Sequence, residues 1–93
     1  MLKIKTITKE LTDARIDEID LQYLEVIQKY HGAQQVDIAG MTGRPYSSTH
    51  NRLLVLERLK VVRLVRGRKS LKCYPGENFS TAVELISGGI KNG

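Results

Sequence analysis

The stretch Ile38-Ala39-Gly40-Met41-Thr42-Gly43-Arg44-Pro45-Tyr46-Ser47-Ser48-Thr49-His50-Asn51-Arg52-Leu53-Leu54-Val55-Leu56 reads as two short helices held at a tight turn. Gly43 stops the first, because glycine takes the left-handed conformation at a helix C-terminus at little cost. Pro45 suits the first turn of the second, where its missing N–H is no loss. Thr49, Leu53 and Leu56 recur at i, i+4 and i+7 and so share one face, with Leu59 completing the seam. The first of the two helices is read as Ala33 to Gly43, with Val36, Ile38, Ala39 and Met41 as its apolar positions.

Downstream the period drops from helical to two. Val62 and Leu64 alternate with Arg63 and Val65, the chain turns near Gly67-Arg68, and Leu71 and Cys73 alternate with Lys72 and Tyr74. This predicts a β-hairpin with a basic tip, closed by Pro75-Gly76. Phe79 to Ile86 read as a brief last helix before a tail. Upstream, Asp17 with Asp20 three residues on forms a capping-box start, in which a side-chain oxygen accepts from an unpaired backbone N–H. Ile19, Tyr23, Ile27 and Tyr30 then recur at helical spacing, Leu24 and Val26 widen the stripe, and His31-Gly32 ends it. Leu2 to Thr8 read as a short strand or an arm.

Ninety-three residues allow one domain. It divides into an N-terminal arm (1–15), a core (16–75) and a short C-terminal helix with its tail (76–93). No apolar run reaches the roughly 18 residues of a membrane span, and the N-terminus lacks a signal-peptide core. The single cysteine, Cys73, has no internal disulfide partner, which leaves an intermolecular bridge as an open alternative. These features predict an intracellular, cytoplasmic protein with no membrane partner. Charge is unevenly spread. Between Arg44 and Lys72 nine basic residues face Glu57 alone, so with a total of +5 the rest of the chain is net acidic. A basic segment of this kind is a solvated face or a surface for a polyanion.

Two short helices joined by a glycine turn, then a basic hairpin, are the order of a winged helix-turn-helix, and here the chain resembles a family. Ile38-Ala39-Gly40-Met41-Thr42-Gly43, Ser47-Ser48-Thr49 and Leu53-Leu54-Val55-Leu56-Glu57 are similar to the winged-helix regulators of the ArsR and MarR type. The resemblance covers roughly Asp17 to Pro75. The start Ile16-Asp17-Glu18-Ile19-Asp20 is also similar to that of Lrp/AsnC-type regulators. The resemblance implies a mainly α fold with a small β-hairpin (α+β), and a sequence-specific regulator of transcription that binds double-stranded DNA. There are departures. Arg44 stands where the family is usually apolar, and Thr49 where it prefers Val or Ile. Lys60 stands where a glycine commonly ends the recognition helix, and is expected to take a strained turn there.

On a recognition helix anchored by Thr49 and Leu53, the outward positions include Tyr46, Ser47, His50, Asn51 and Leu54. Asn51 suits adenine N6 and N7, His50 and Ser47 suit other base edges, and Leu54 suits a thymine methyl. Arg44 and Arg52 flank the set and suit phosphates. Arg66, Arg68 and Lys69 at the wing tip suit the backbone or the minor groove. The plainer readings are that Tyr46 caps the helix, Ser47 bonds local backbone and Arg52 pairs with an acid elsewhere.

A homodimer is expected, because two half-sites about one helical turn apart double the readout. The apolar residues Leu2, Ile4, Phe79, Val83 and Ile86, outside the motif, are its expected contacts. No catalytic constellation is legible: His31 and His50 lie on different elements, Ser47 and Ser48 lack an arranged base, and phosphate loops are absent. The cysteine-rich box of ArsR metal sensors has no counterpart, so no metal or cofactor is expected. A protein-interaction module, or a DNA-binding replication or partition protein, is the competing reading.

Overall fold

The computed structural model describes residues 9–68 and 71–88. Leu2, Ile4 and Lys69, and with them the expected strand or arm at Leu2 to Thr8, lie outside the described residues. Residues 9–13 are helical rather than part of an arm, and Leu11 is fully buried in the core. Four helices follow: α1 (Glu18–Lys29), α2 (Gln35–Thr42), α3 (Tyr46–Arg58) and α4 (Phe79–Ser87). Three strands, β1 (Ala33–Gln34), β2 (Val62–Arg66) and β3 (Leu71–Pro75), form an antiparallel sheet in the order β1-β3-β2. The fold is the mainly helical winged helix-turn-helix that the sequence predicts.

The α1 start is the expected capping box. Asp17 Oδ1 accepts from the N–H of Ile19 at 3.0 Å and of Asp20 at 3.3 Å, while the Asp17 N–H donates to Asp20 Oδ2 at 3.1 Å. The buried face, however, is Asp20, Tyr23, Leu24 and Ile27. The predicted stripe through Ile19 and Tyr30 is corrected, since these are 41% and 46% exposed. Asp20 finds a cationic partner inside, so a carboxylate takes the inward position and Ile19 turns to solvent.

Between α1 and α2 the sequence reading gave helix from Ala33, whereas Ala33 and Gln34 pair with Cys73 and Lys72 of β3. The helix begins only at Gln35. Ile38 and Ala39 face inward as expected, but Val36 and Met41 are exposed, and buried Gln35 takes the place they were given. On α3 the expected face holds, with Thr49, Leu53 and Leu56 all fully buried and Leu59 packed partly against the core.

Three left-handed residues terminate helices in the same way. At Gly43 (φ 69°) the Arg44 N–H returns to the Ala39 carbonyl at 3.0 Å. At Lys60 (φ 62°) Val61 N–H returns to Leu56 O at 2.9 Å, and Lys60 N–H to Glu57 O at 2.9 Å. Arg15 (φ 57°) does the same after the first helical segment, through Ile16 to Leu11. Each is the 6→1 bond of a Schellman ending, and at Lys60 the flanking Val61 and Leu56 are both fully buried. The strained turn expected at Lys60 is therefore present.

The hairpin pairs Leu64 with Cys73 and Arg66 with Leu71. Helix α4 then folds back onto the core. Phe79 is 7% exposed and Ala82 fully buried, with Val83 and Ile86 packed partly against the same cluster. Apolar residues set aside for a partner thus serve the chain itself, Phe79 most completely.

Candidate nucleic-acid interface

Helix α3 is fixed from beneath by Thr49, Leu53 and Leu56, which leaves its opposite face to solvent. Tyr46, Ser47, Ser48 and Asn51 are exposed there, and His50 is half-buried. Ser47 and Asn51, four residues apart, lie on one helical face. Neither side chain has a hydrogen-bond partner among the described residues. Leu54 leans the other way, half-buried against the core cluster. Of the predicted reading face, then, Ser47 and Asn51 stand clear, Tyr46 and His50 are tied to one neighbour, and Leu54 is largely occupied.

That neighbour is Gln35, the first residue of α2 and only 2% exposed. Tyr46 donates its hydroxyl to Gln35 Oε1 at 2.9 Å, and His50 Nδ1 lies 2.8 Å from Gln35 Nε2 and 3.1 Å from Oε1. The Tyr46 and His50 rings are stacked 5° from parallel, with centroids 6.2 Å apart. One buried amide thus holds two side chains of α3 in place. These three line a groove of about 430 Å³ whose other wall is the wing, at Arg66 and Arg68.

The arginines divide by role. Arg52, expected on phosphates, is engaged inside: Nε donates to Asp20 Oδ1 at 2.6 Å, and a terminal nitrogen to Asp20 Oδ2 at 2.8 Å and the Ala14 carbonyl at 2.9 Å. The hydrogen bonds to Asp20 hold its guanidinium pKa above the ordinary value. This is the pairing with an acid that was its plainer reading. Arg44, at the turn between α2 and α3, reaches Gln22 Oε1 at 3.4 Å, while its Nε is buried without a partner. Arg66 points from the wing back to Glu57 of α3 at 3.4 Å, and Arg68 is exposed at the tip. Arg63 leaves the other face of the sheet and stacks over Tyr74, 5.0 Å from its ring centre.

The burial of Gln35 and Asp20, and the side-chain partners each finds there, are what the sequence reading missed. A signal was present. Gln35-Ile38-Ala39-Thr42 and Asp20-Tyr23-Leu24-Ile27 each follow i, i+3, i+4, i+7, so each polar residue opens a buried stripe. Among the described residues no cluster of three His, Cys, Asp or Glu side chains could hold a metal ion, and no helix is long and apolar enough to cross a membrane.

By sequence the chain matches no protein-family model and no curated protein. In fold it is similar to MepR, a transcription regulator of the Staphylococcus aureus multidrug efflux pump MepA, with a TM-score of 0.68. The likeness covers 91% of this chain but 65% of that one, at 20% identity. The chain therefore spans about two thirds of the length of MepR, and what the two share is the winged-helix fold.

Proposed function

We propose that this chain is an intracellular regulator of transcription that binds double-stranded DNA sequence-specifically as a homodimer. The observation that carries the reading is the exposed polar face of α3, with Ser47 and Asn51 unengaged beside a wing that bears Arg66 and Arg68. An α-helix fits the major groove of B-DNA, and unengaged amide and hydroxyl groups on its outer face meet base edges there. Arg68 and Lys69 then serve phosphates or the minor groove beyond the helix, with Arg44 on the backbone at its start. One winged helix spans few base pairs, so a two-fold pair reading half-sites about one turn apart supplies the specificity a regulator needs. Arg52 is assigned a structural role.

The test is titration of the purified chain with duplex DNA over a range of salt. Affinity falls steeply as salt rises, with a log–log slope corresponding to about four or more phosphate contacts per dimer. On a sequence selected from a random pool, Asn51→Ala costs roughly 1–3 kcal/mol and relaxes discrimination at one position. Absence of binding at low salt, or affinity indifferent to salt, would overturn the reading.

A further inference from the structure

The geometry points to Gln35 as a positioning residue that fixes His50 as a hydrogen-bond donor, so that the recognition helix selects guanine at the position His50 faces. This rests on the DNA-binding reading above and deepens it. A neutral imidazole carries one N–H and one lone pair, and which nitrogen holds the proton decides what the ring can read. Gln35 Oε1 already takes the Tyr46 hydroxyl proton at 2.9 Å. Its Nε2, a donor only, lies nearer to His50 Nδ1 than Oε1 does, at 2.8 Å against 3.1 Å. Two N–H groups facing each other at that distance repel, so Nδ1 is the acceptor and Nε2 bears the hydrogen.

The rest of the site holds this arrangement. Gln35 is buried, which makes its amide costly to leave unpaired. The Tyr46 ring lies parallel to that of His50 and limits its rotation. His50, which lines the groove between helix and wing, thereby carries one fixed Nε2–H. In the major groove guanine offers two acceptors, N7 and O6, and no donor, thymine offers O4 alone beside its methyl group, adenine sets a donor beside its one acceptor, and cytosine offers only the N4 donor. A single fixed donor therefore favours guanine and rejects cytosine.

The free full-length protein, labelled with ¹⁵N and studied at alkaline pH, reads the tautomer directly, without DNA. The expected spectrum shows His50 with its proton on Nε2; a proton on Nδ1 would overturn the inference. Selection from a random duplex pool reads the consequence. Wild type shows a position preferring guanine that His50→Ala relaxes by about five- to tenfold, as for one lost base contact. Gln35→Glu replaces the amide donor by a carboxylate that only accepts, which moves the proton to Nδ1 and shifts that preference to cytosine or adenine. Tyr46→Phe, at an exposed position, frees Oε1 and relaxes the same preference without burying a charge. Duplex binding with no guanine preference linked to His50 defeats this inference alone. Failure of wild type to bind any duplex defeats the function on which it rests.

Discussion

Arg52 of α3 and Asp20 of α1 form a two-pronged ion pair across the molecule, with Asp20 only 1% exposed. The two helices are thus joined by charge as well as by packing, and the loop at Ala14 is drawn in by the same guanidinium. Removing one partner leaves the other charge buried without compensation. Arg52→Ala is expected to lower stability by about 3 kcal/mol in urea unfolding. The Asp20→Ala, Arg52→Ala double mutant loses less than the sum of the single losses. The salt slope of DNA binding stays as in wild type, and a slope reduced by one would return Arg52 to the phosphate contacts.

The wing is expected to contribute affinity without sequence preference. Replacing Arg68 and Lys69 together with alanine lowers the salt slope by about two, one per lost phosphate contact, and weakens specific and random duplexes alike. Glu57→Gln acts in the opposite sense. It releases Arg66 from its 3.4 Å pairing on α3 and removes a negative charge from the recognition helix. Tighter binding at low salt, with a steeper slope, is the expected result. If the Arg68, Lys69 variant instead loses discrimination, the helix and wing have exchanged roles.

Lys60 holds a left-handed backbone that side chains other than glycine adopt at a cost of roughly 1–2 kcal/mol. Its ion pair with Glu77, 3.5 Å apart and largely solvated, offsets little of this. Lys60→Gly is expected to raise stability by about 0.5–1 kcal/mol, the strain relieved less the entropy glycine adds to the unfolded chain. At Gly43, whose φ is 69°, Gly43→Ala works in the reverse direction. Unfolding midpoints in urea at constant m-value distinguish the two.

Burial, assisted by the charge of Glu57, pushes the Cys73 thiol up to about 11. The group sits in β3 between Ala33 and Leu64 and is fully enclosed. The folded state keeps the thiol proton to higher pH than the unfolded chain, whose thiol ionises near 9. The corresponding stability is complete below pH 9 and is lost as pH rises toward 11. Cys73→Ala is expected to remove that part of the alkaline decline, seen by comparing unfolding curves at pH 8 and 10.5. For the same reason a thiol reagent at neutral pH labels the native protein only as fast as the sheet opens.

Apolar periodicity carried most of the architecture. Thr49, Leu53 and Leu56 announced the underside of α3, the alternation from Val62 announced the hairpin, and Asp17 with Asp20 announced the cap of α1. What the sequence concealed depended on partners distant in the chain. Asp20 passes for a capping residue until Arg52, thirty-two positions on, meets its carboxylate. Ala33-Gln34 carry no strand signal, because two residues become a strand only when Cys73 and Lys72 lie beside them. On α3 the exposure of Asn51 and Ser47 was legible from helical phase alone. The tie between Gln35 and His50, fifteen residues apart, exists only once α2 crosses α3.

The order β1-β3-β2 leaves β2 as an outer strand of the sheet, and an outer strand is a template on which another molecule can add its own. Here that rim is studded with Arg63 and Arg66 on either side of exposed Val65. Two such rims approaching one another bring like charges together before any backbone bond can form. The arginines of the wing therefore guard against edge-to-edge aggregation in the free protein. A bound polyanion that neutralised them would also lie across the approach they protect.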